Sequence, residues 1–269
     1  MNIQRQTNRN SMSFAEADAI GASAEAEIKR LLDSVEAKYI HHELPPVPKK
    51  NDYKDNNSYS NAWEQWKEIR DAQDKGDFLL RNNVYVEVKA DAYAAKSGNL
   101  FLEMAEYNTA DGVMKIVGFL KHLASPTIFT YRMGDERDYF WLVFTARDIY
   151  NAIVSNYAHS FFTWNESKWN GKADFMKLGF LIKGYKNALS NGTSLSDFIT
   201  VCRDEDELLK AIRVKSYQAK KAGALTIYHE DIEAIVGEWA DEWSWEIDGL
   251  TNFKTVWAGR AATPLAHKE

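Results

Sequence analysis

The chain has 269 residues, 45% hydrophobic and 13% aromatic, with a formal charge of −6, enough apolar mass for one large domain or two small ones. Its one cysteine, Cys202, excludes an intramolecular disulfide framework and a multi-cysteine zinc site, and fits a reducing compartment. The acidic balance argues against a simple basic nucleic-acid binder, though not against an enzyme acting on DNA, since carboxylates that hold metal ions add negative charge.

Residues 1–13, rich in Asn, Gln and Ser, read as a disordered tail with no apolar signal-peptide core. No run approaches the roughly 18 apolar residues of a membrane span, so a soluble, cytoplasmic protein with no membrane partner is expected. Ser13 and Glu16 have capping-box spacing ahead of a helix over 14–39, where Ile20, Ala24, Ile28, Leu31, Leu32 and Val35 form one stripe. Three prolines make 41–60 a loop, and Trp63, Trp66 and Ile69 mark a short helix over 61–72. Strands are expected at 78–80, 84–90, 99–106, 127–131 and 139–145, and helices at 113–123 and 147–156. The order α, β, β, β, α, β, β, α is that of an α/β fold with a mixed sheet. Residues 14–156 form the expected core. Residues 157–269 read as a mainly helical C-terminal region, with helices at 205–222 and 229–245, suited to DNA binding or dimerisation.

The stretch "GDFLLRNNVYVEVKAD", Gly76 to Asp91, carries the functional signal. With the turn at Arg81-Asn82-Asn83, Leu80 lies opposite Val84, Phe78 opposite Val86 and Asp77 opposite Glu87. Phe78, Leu80, Val84, Val86 and Val88 then share an apolar face, and Asp77, Glu87 and Lys89 share the other; a one-residue slip would mix the two. Two carboxylates across a ladder, about 5 Å apart at Cβ, repel each other. A divalent cation such as Mg²⁺ or Mn²⁺ reverses that sign, and Lys89 beside it can orient a water or stabilise charge in phosphodiester hydrolysis. The alternative is an ordinary half-buried strand with a solvated face.

Gly76-Asp77, nine intervening residues, then Glu87-Val88-Lys89 resembles the PD-(D/E)XK nuclease superfamily, with Gly where the proline stands. The resemblance covers about residues 14–150 and implies a restriction-endonuclease-like αβββαβ core and a metal-dependent deoxyribonuclease. It implies Asp77 and Glu87 as Mg²⁺ ligands (Mn²⁺ substituting), the Val88 carbonyl as a backbone ligand, and Lys89 as the catalytic cation. The products are then a 5′-phosphate and a 3′-hydroxyl. "GASAEAEIKRLL" (21–32) is similar to the first helix of archaeal Holliday-junction resolvases, which makes Glu25 the further metal-linked acid. Glu27 points about 200° away around the helix, so only one of the two serves; the other reading of Glu25 is an exposed helix glutamate.

Ser97, Gly98, Asn99 and Glu103 follow a pattern of phage and bacterial members, which implies a phage or mobile-element gene acting in a host cytoplasm; "KIVGFLKH" departs from that pattern. The partner implied is DNA, with a homodimer the simplest way to cut two strands. A non-catalytic nucleic-acid-binding or host-protein-binding member of the fold is the competing expectation.

Among the remaining motifs, His41-His42-Glu43 lacks the i, i+4 spacing of a helical zinc motif, and no P-loop occurs. Cys202 has no catalytic histidine in its sequence context. Lys115 and Lys121 read as solvated lysines able to touch phosphate. Trp164, Trp169, Phe175, Phe180 and Tyr185 interleave with lysines, a pattern that serves base stacking or, more simply, a core with a charged rim.

Overall fold

The computed structural model describes residues 14–91, 94, 98, 100–108, 113–116, 118–134, 138–152, 162–169, 173–182 and 195–225. The chain divides into two compact units, Met1–Leu225 and Thr226–Glu269, and every described residue lies in the first. The expected cap at Ser13, the helix at 229–245, and Ser97 and Asn99 lie outside the described residues.

Helix α1 (Phe14–Ser34) buries Ala24, Ile28, Leu31 and Leu32 on one stripe, as the 3.6-residue period requires. It stops earlier than expected. Glu36 adopts a left-handed φ of 52° and Ala37 N–H donates back to the Leu32 carbonyl at 3.0 Å, so Val35 falls outside the stripe and is exposed. The chain reverses into β1 (Tyr39–His41), an edge strand within a segment whose prolines suggest only loop. Pairing with β2 (Phe78–Leu80) supplies what three residues could not hold alone. Between them lie a 3₁₀ turn (Lys50–Asp52) and α2 (Asn56–Gln73). That helix begins five residues before the expected start, because the Asp55 side chain accepts Ser58 N–H at 2.8 Å and caps it.

After β3 (Tyr85–Asp91), strands β4 (Leu100–Asn108) and β5 (Val113–Ile116) leave the first sheet. The helix expected over 113–123 is therefore half strand: only α3 (Gly118–Lys121) and a 3₁₀ turn (His122–Ala124) are helical. Gly118 sits at φ 56°, and a Cβ there would lie 2.0 Å from the Glu103 carbonyl. That close approach fixes a break between strand and helix. Next come β6 (Thr127–Gly134), β7 (Tyr139–Thr145), α4 (Ala146–Ala152), β8 (Phe162–Trp169), β9 (Ala173–Ile182), α5 (Leu195–Phe198), β10 (Thr200–Cys202) and α6 (Glu205–Ala222).

The protein is mixed α/β, with a six-stranded mixed sheet ordered β1-β2-β3-β6-β7-β10 and a four-stranded sheet ordered β5-β4-β9-β8. In the first, β3 and β6 run parallel and their neighbours antiparallel. Where a mainly helical region is expected after residue 157, the chain forms β8 and β9, and the aromatic and basic run falls largely on these strands. Tyr185 lies outside the described residues. Because β9 pairs with β4 and β10 with β7, strands from either side of residue 156 share both sheets.

One face of the large sheet packs α1 and α6 against Phe78, Val84, Val86, Val88, Ile128, Trp141 and Val143. The opposite face stacks Phe129, Tyr131 and Phe144. Lys215 of α6 is buried and gives its ammonium to Asp148 Oδ2 at 3.0 Å and to the Phe198 carbonyl at 2.7 Å, so it ties helices together. No described helix is long and apolar enough to cross a membrane.

Candidate active site

The site grows out of the hairpin between β2 and β3. Its register is the expected one: Phe78 lies opposite Val86, and Leu80 N–H donates to the Val84 carbonyl at 2.9 Å across the turn. Asn83 takes a left-handed φ of 61°, which asparagine tolerates at low cost. The ladder ends at Phe78 and Val86, so Asp77 lies one residue ahead of β2. Gly76, ahead of it, has φ 150°, and a Cβ there would stand 2.9 Å from Tyr85 Cβ and 3.1 Å from the Val86 carbonyl oxygen. The glycine therefore lets the chain enter β2 pressed against β3.

His42 holds that entry in place. Its backbone N–H donates to the Asp77 carbonyl at 2.8 Å, and its ring Nδ1 lies 2.9 Å from the Gly76 carbonyl oxygen. Asp77 Oδ2 accepts Val88 N–H at 2.7 Å, while the Val88 side chain is buried in the core. Thr130 on β6 donates its hydroxyl to the Glu87 carbonyl at 3.3 Å.

Asp77 and Glu87 are 7% and 5% exposed. Lys89, whose side chain is 45% exposed, forms an ion pair with Glu87 Oε1. Burial raises both carboxyl pKa values, and the Glu87 charge adds to the rise at Asp77, which reaches about 7. Lys89 opposes the rise at both carboxyls. At Lys89 burial disfavours the ammonium, but the Glu87 carboxylate outweighs it and the lysine stays charged.

Glu25 joins the group from α1. Burial, then the Asp77 charge, raise its pKa, with smaller effects from Glu87 and Lys89. Its Oε2 lies 3.9 Å from His41 Nε2, and the His41 ring stacks on Phe78 at 4.6 Å. Glu27 is engaged elsewhere. It accepts Tyr139 O–H at 2.9 Å and Trp141 Nε1–H at 3.2 Å and lies 3.5 Å from the buried Arg132. The guanidinium also bonds Ser23 Oγ and the Ile20 carbonyl. The two glutamates thus differ in surroundings: Glu27 anchors α1 to β6 and β7, while Glu25 lies against His41 and within the electrostatic influence of Asp77.

Sequence reasoning passes over His122. It is 5% exposed, its Nδ1 lies 3.2 Å from the Lys75 carbonyl oxygen, and its ring stands edge-on to Phe129 at 5.0 Å. Its Nε2 is 3.6 Å from Glu87 Oε1. Burial lowers its pKa to about 4. No spacing in the sequence relates residues 87 and 122; only the return of the chain through α3 into β6 does. Of the other candidates, Lys121 is paired with Asp74, and Glu103 lies on β4 in the second sheet. Buried Cys202 belongs to the core cluster on the opposite face.

Two adjacent buried carboxylates, one covered by an ammonium, form a donor set suited to a hard divalent cation plus water. Among the described residues no three His, Cys, Asp or Glu side chains stand gathered tightly enough to hold an ion in this arrangement, with the Lys89 ammonium lying against Glu87. Comparison with protein-family models, curated proteins and solved structures finds no match for this chain.

Proposed function

We propose that the protein is a metal-dependent deoxyribonuclease with a restriction-endonuclease-like core. The observation that carries this reading is the gathering of Asp77, just ahead of β2, with Glu87 and Lys89 of the paired strand β3: the Asp77 carboxylate accepts Val88 N–H and Lys89 pairs with Glu87. The element order supports it only in part: α1, β1, β2, β3, α3 and β6 run αβββαβ once the long helix α2 between β1 and β2 is set aside, and the third strand expected at 99–106 lies instead in the second sheet as β4.

In this reading Asp77, Glu87 and the Val88 carbonyl hold Mg²⁺ or Mn²⁺, with Glu25 beside them. The cation supplies Lewis-acid polarisation of the phosphodiester and makes water more acidic. Lys89 leaves Glu87 for the scissile phosphate and donates to its non-bridging oxygens as negative charge builds there. Water oxygen bonds to phosphorus, the bond to the 3′ oxygen breaks, and that oxygen takes up a proton. Burial first, and then a neighbouring carboxylate charge, raise the Asp77 and Glu25 pKa values, the direction that a cation beside them would oppose.

The test is cleavage of supercoiled plasmid, linear duplex, single strand and a four-way junction, each with Mg²⁺, Mn²⁺ or EDTA. Metal-dependent cutting that disappears in Lys89→Ala is expected. Tight DNA binding with no cutting of any substrate would replace this reading with a non-catalytic binding protein.

A further inference from the structure

We propose that the outward face of α6 is the surface on which the protein seats duplex DNA, with Lys210, Arg213, Lys220 and Lys221 meeting backbone phosphates and Val214 and Tyr217 lying against the sugars between them. The inference rests on the reading above that the protein acts on DNA. The acidic residues of α6 are confined to its first turn, at Glu205, Asp206 and Glu207. From Leu208 to Ala222 the basic residues are Lys210, Arg213, Lys215, Lys220 and Lys221, and there is no acidic one. Lys215 is buried and held by Asp148 and the Phe198 carbonyl. The other four are exposed, and none of them has an ion pair or side-chain hydrogen bond among the described residues.

Buried Leu208, Ala211, Ile212, Ser216 and Ala219 fix the inward side of the helix, so the four free cations, Val214 and Tyr217 share the outward one. Lys220 and Lys221 also suit the carbonyl end of a helix, but Lys210 and Arg213 lie in its middle, one turn apart, where like charges repel. An anion in front of them removes that repulsion. Tyr217, one turn from Arg213, Lys220 and Lys221, is 70% exposed, the most exposed large hydrophobic side chain among the described residues, and Val214 is 47% exposed. A phenol and an aliphatic group set among cations match a sugar–phosphate backbone, whereas two apolar side chains are too few for the broad apolar face of a membrane-surface helix. The stripe from Lys210 to Lys221 is about 16 Å long, enough to span several phosphates of one strand. Its basic end is tied to the candidate site. Leu225 N–H donates to the Leu123 carbonyl at 2.7 Å, and Leu123 follows His122, whose ring lies against Glu87.

The test is fluorescence anisotropy of a labelled linear duplex with the full chain in EDTA, over a range of salt. Arg213→Gln, Lys220→Gln and Lys221→Gln together should weaken binding about tenfold or more at about 0.1 M salt, and lower the slope of log affinity against log salt by about 2–3. The same charge removed by Lys49→Gln, Lys50→Gln and Lys54→Gln, exposed residues ahead of α2, should leave both nearly unchanged. Equal losses in the two triple variants overturn the proposal, since net charge alone then accounts for binding. In the wild type the duplex should shield Lys220 and Lys221 from amine acylation, read by mass spectrometry. Full labelling of both in the DNA-bound protein overturns the proposal even if the α6 variant fails to fold. So does a wild type that fails to bind the duplex, whether or not it binds phosphatidylserine vesicles. Plasmid cleavage is read separately. Duplex binding that the α6 variant loses, with no cutting by the wild type, removes only the nuclease; metal-dependent cutting that the α6 variant retains in full at the same salt removes only this surface.

Discussion

Replacing Asp77 with Asn should make the metal-free protein more stable while abolishing its activity. Burial and the Glu87 charge lift the Asp77 pKa from 3.8 to about 7. The folded chain thus binds this proton more tightly than the unfolded chain. The group's favourable contribution is complete below about pH 4, falls as pH rises from about 4 to about 7, and is flat above that. At roughly 1.4 kcal/mol per pH unit, the gap gives a ceiling of about 4 kcal/mol lost by pH 8. Water entry and relaxation reduce it, so we expect Asp77→Asn to gain about 2 kcal/mol at pH 8. The amide oxygen keeps the bond from Val88 N–H, and the new amide N–H group can donate to the Glu87 carboxylate. For a chain of this size the gain is a rise in Tm of roughly 4–8 °C. The assay is urea unfolding and thermal melting in EDTA at pH 8 and pH 4.5. The wild type should approach the variant at pH 4.5 and fall behind at pH 8. A variant no more stable than wild type at pH 8 would refute the argument that these carboxylates repel each other without a cation.

Lys89→Ala should keep its fold, since the side chain is half exposed, and lose metal-dependent cleavage; circular dichroism with a plasmid assay checks both. Glu25→Gln and Glu27→Gln should separate activity from stability. The first lowers cleavage with little change in urea midpoint. The second costs about 1–3 kcal/mol, because it breaks the charge-assisted bonds that tie α1 to Tyr139, Trp141 and Arg132; equal effects of the two in both assays would refute the division. Gly76→Ala should destabilise by about 1–3 kcal/mol, since the strained φ and a Cβ 2.9 Å from Tyr85 Cβ act together; a melting curve matching wild type would show that the strand entry has slack. Adding 10 mM Mn²⁺ should raise the Tm of wild type and not of Asp77→Asn, since only an intact folded site gains from mass action.

Local patterns placed most of what they could reach. The α1 stripe, the β2–β3 register, the turn at Asn83 and the helix from Glu205 all rest on interactions within a few residues or across one short hairpin. There, alternation of apolar and polar side chains leaves one burial solution. Asp77, Glu87 and Lys89 lie within that reach, which is why a quoted stretch of sixteen residues could present them together. The split between Glu25 and Glu27 follows from helix rotation alone, although which of the two is tied down depends on where Arg132, Tyr139 and Trp141 stand.

The remaining features depend on distant partners. β1 is three residues long and exists because Phe78 and its neighbours offer an edge. Residues 113–116 are strand and not helix because β4 is there to pair with and Gly118 must pass against the Glu103 carbonyl. β8 and β9 complete the second sheet through β4, a partner dozens of residues earlier in the chain. His122 reaches Glu87 only after the chain has left the sheet and come back beside it in parallel, a crossover that leaves no periodicity behind. Sequence determined the chemistry available on each strand, because side-chain alternation is a local property. Tertiary structure decided which strands meet, and hence which histidine faces which carboxylate, because those contacts form only when distant segments share one core.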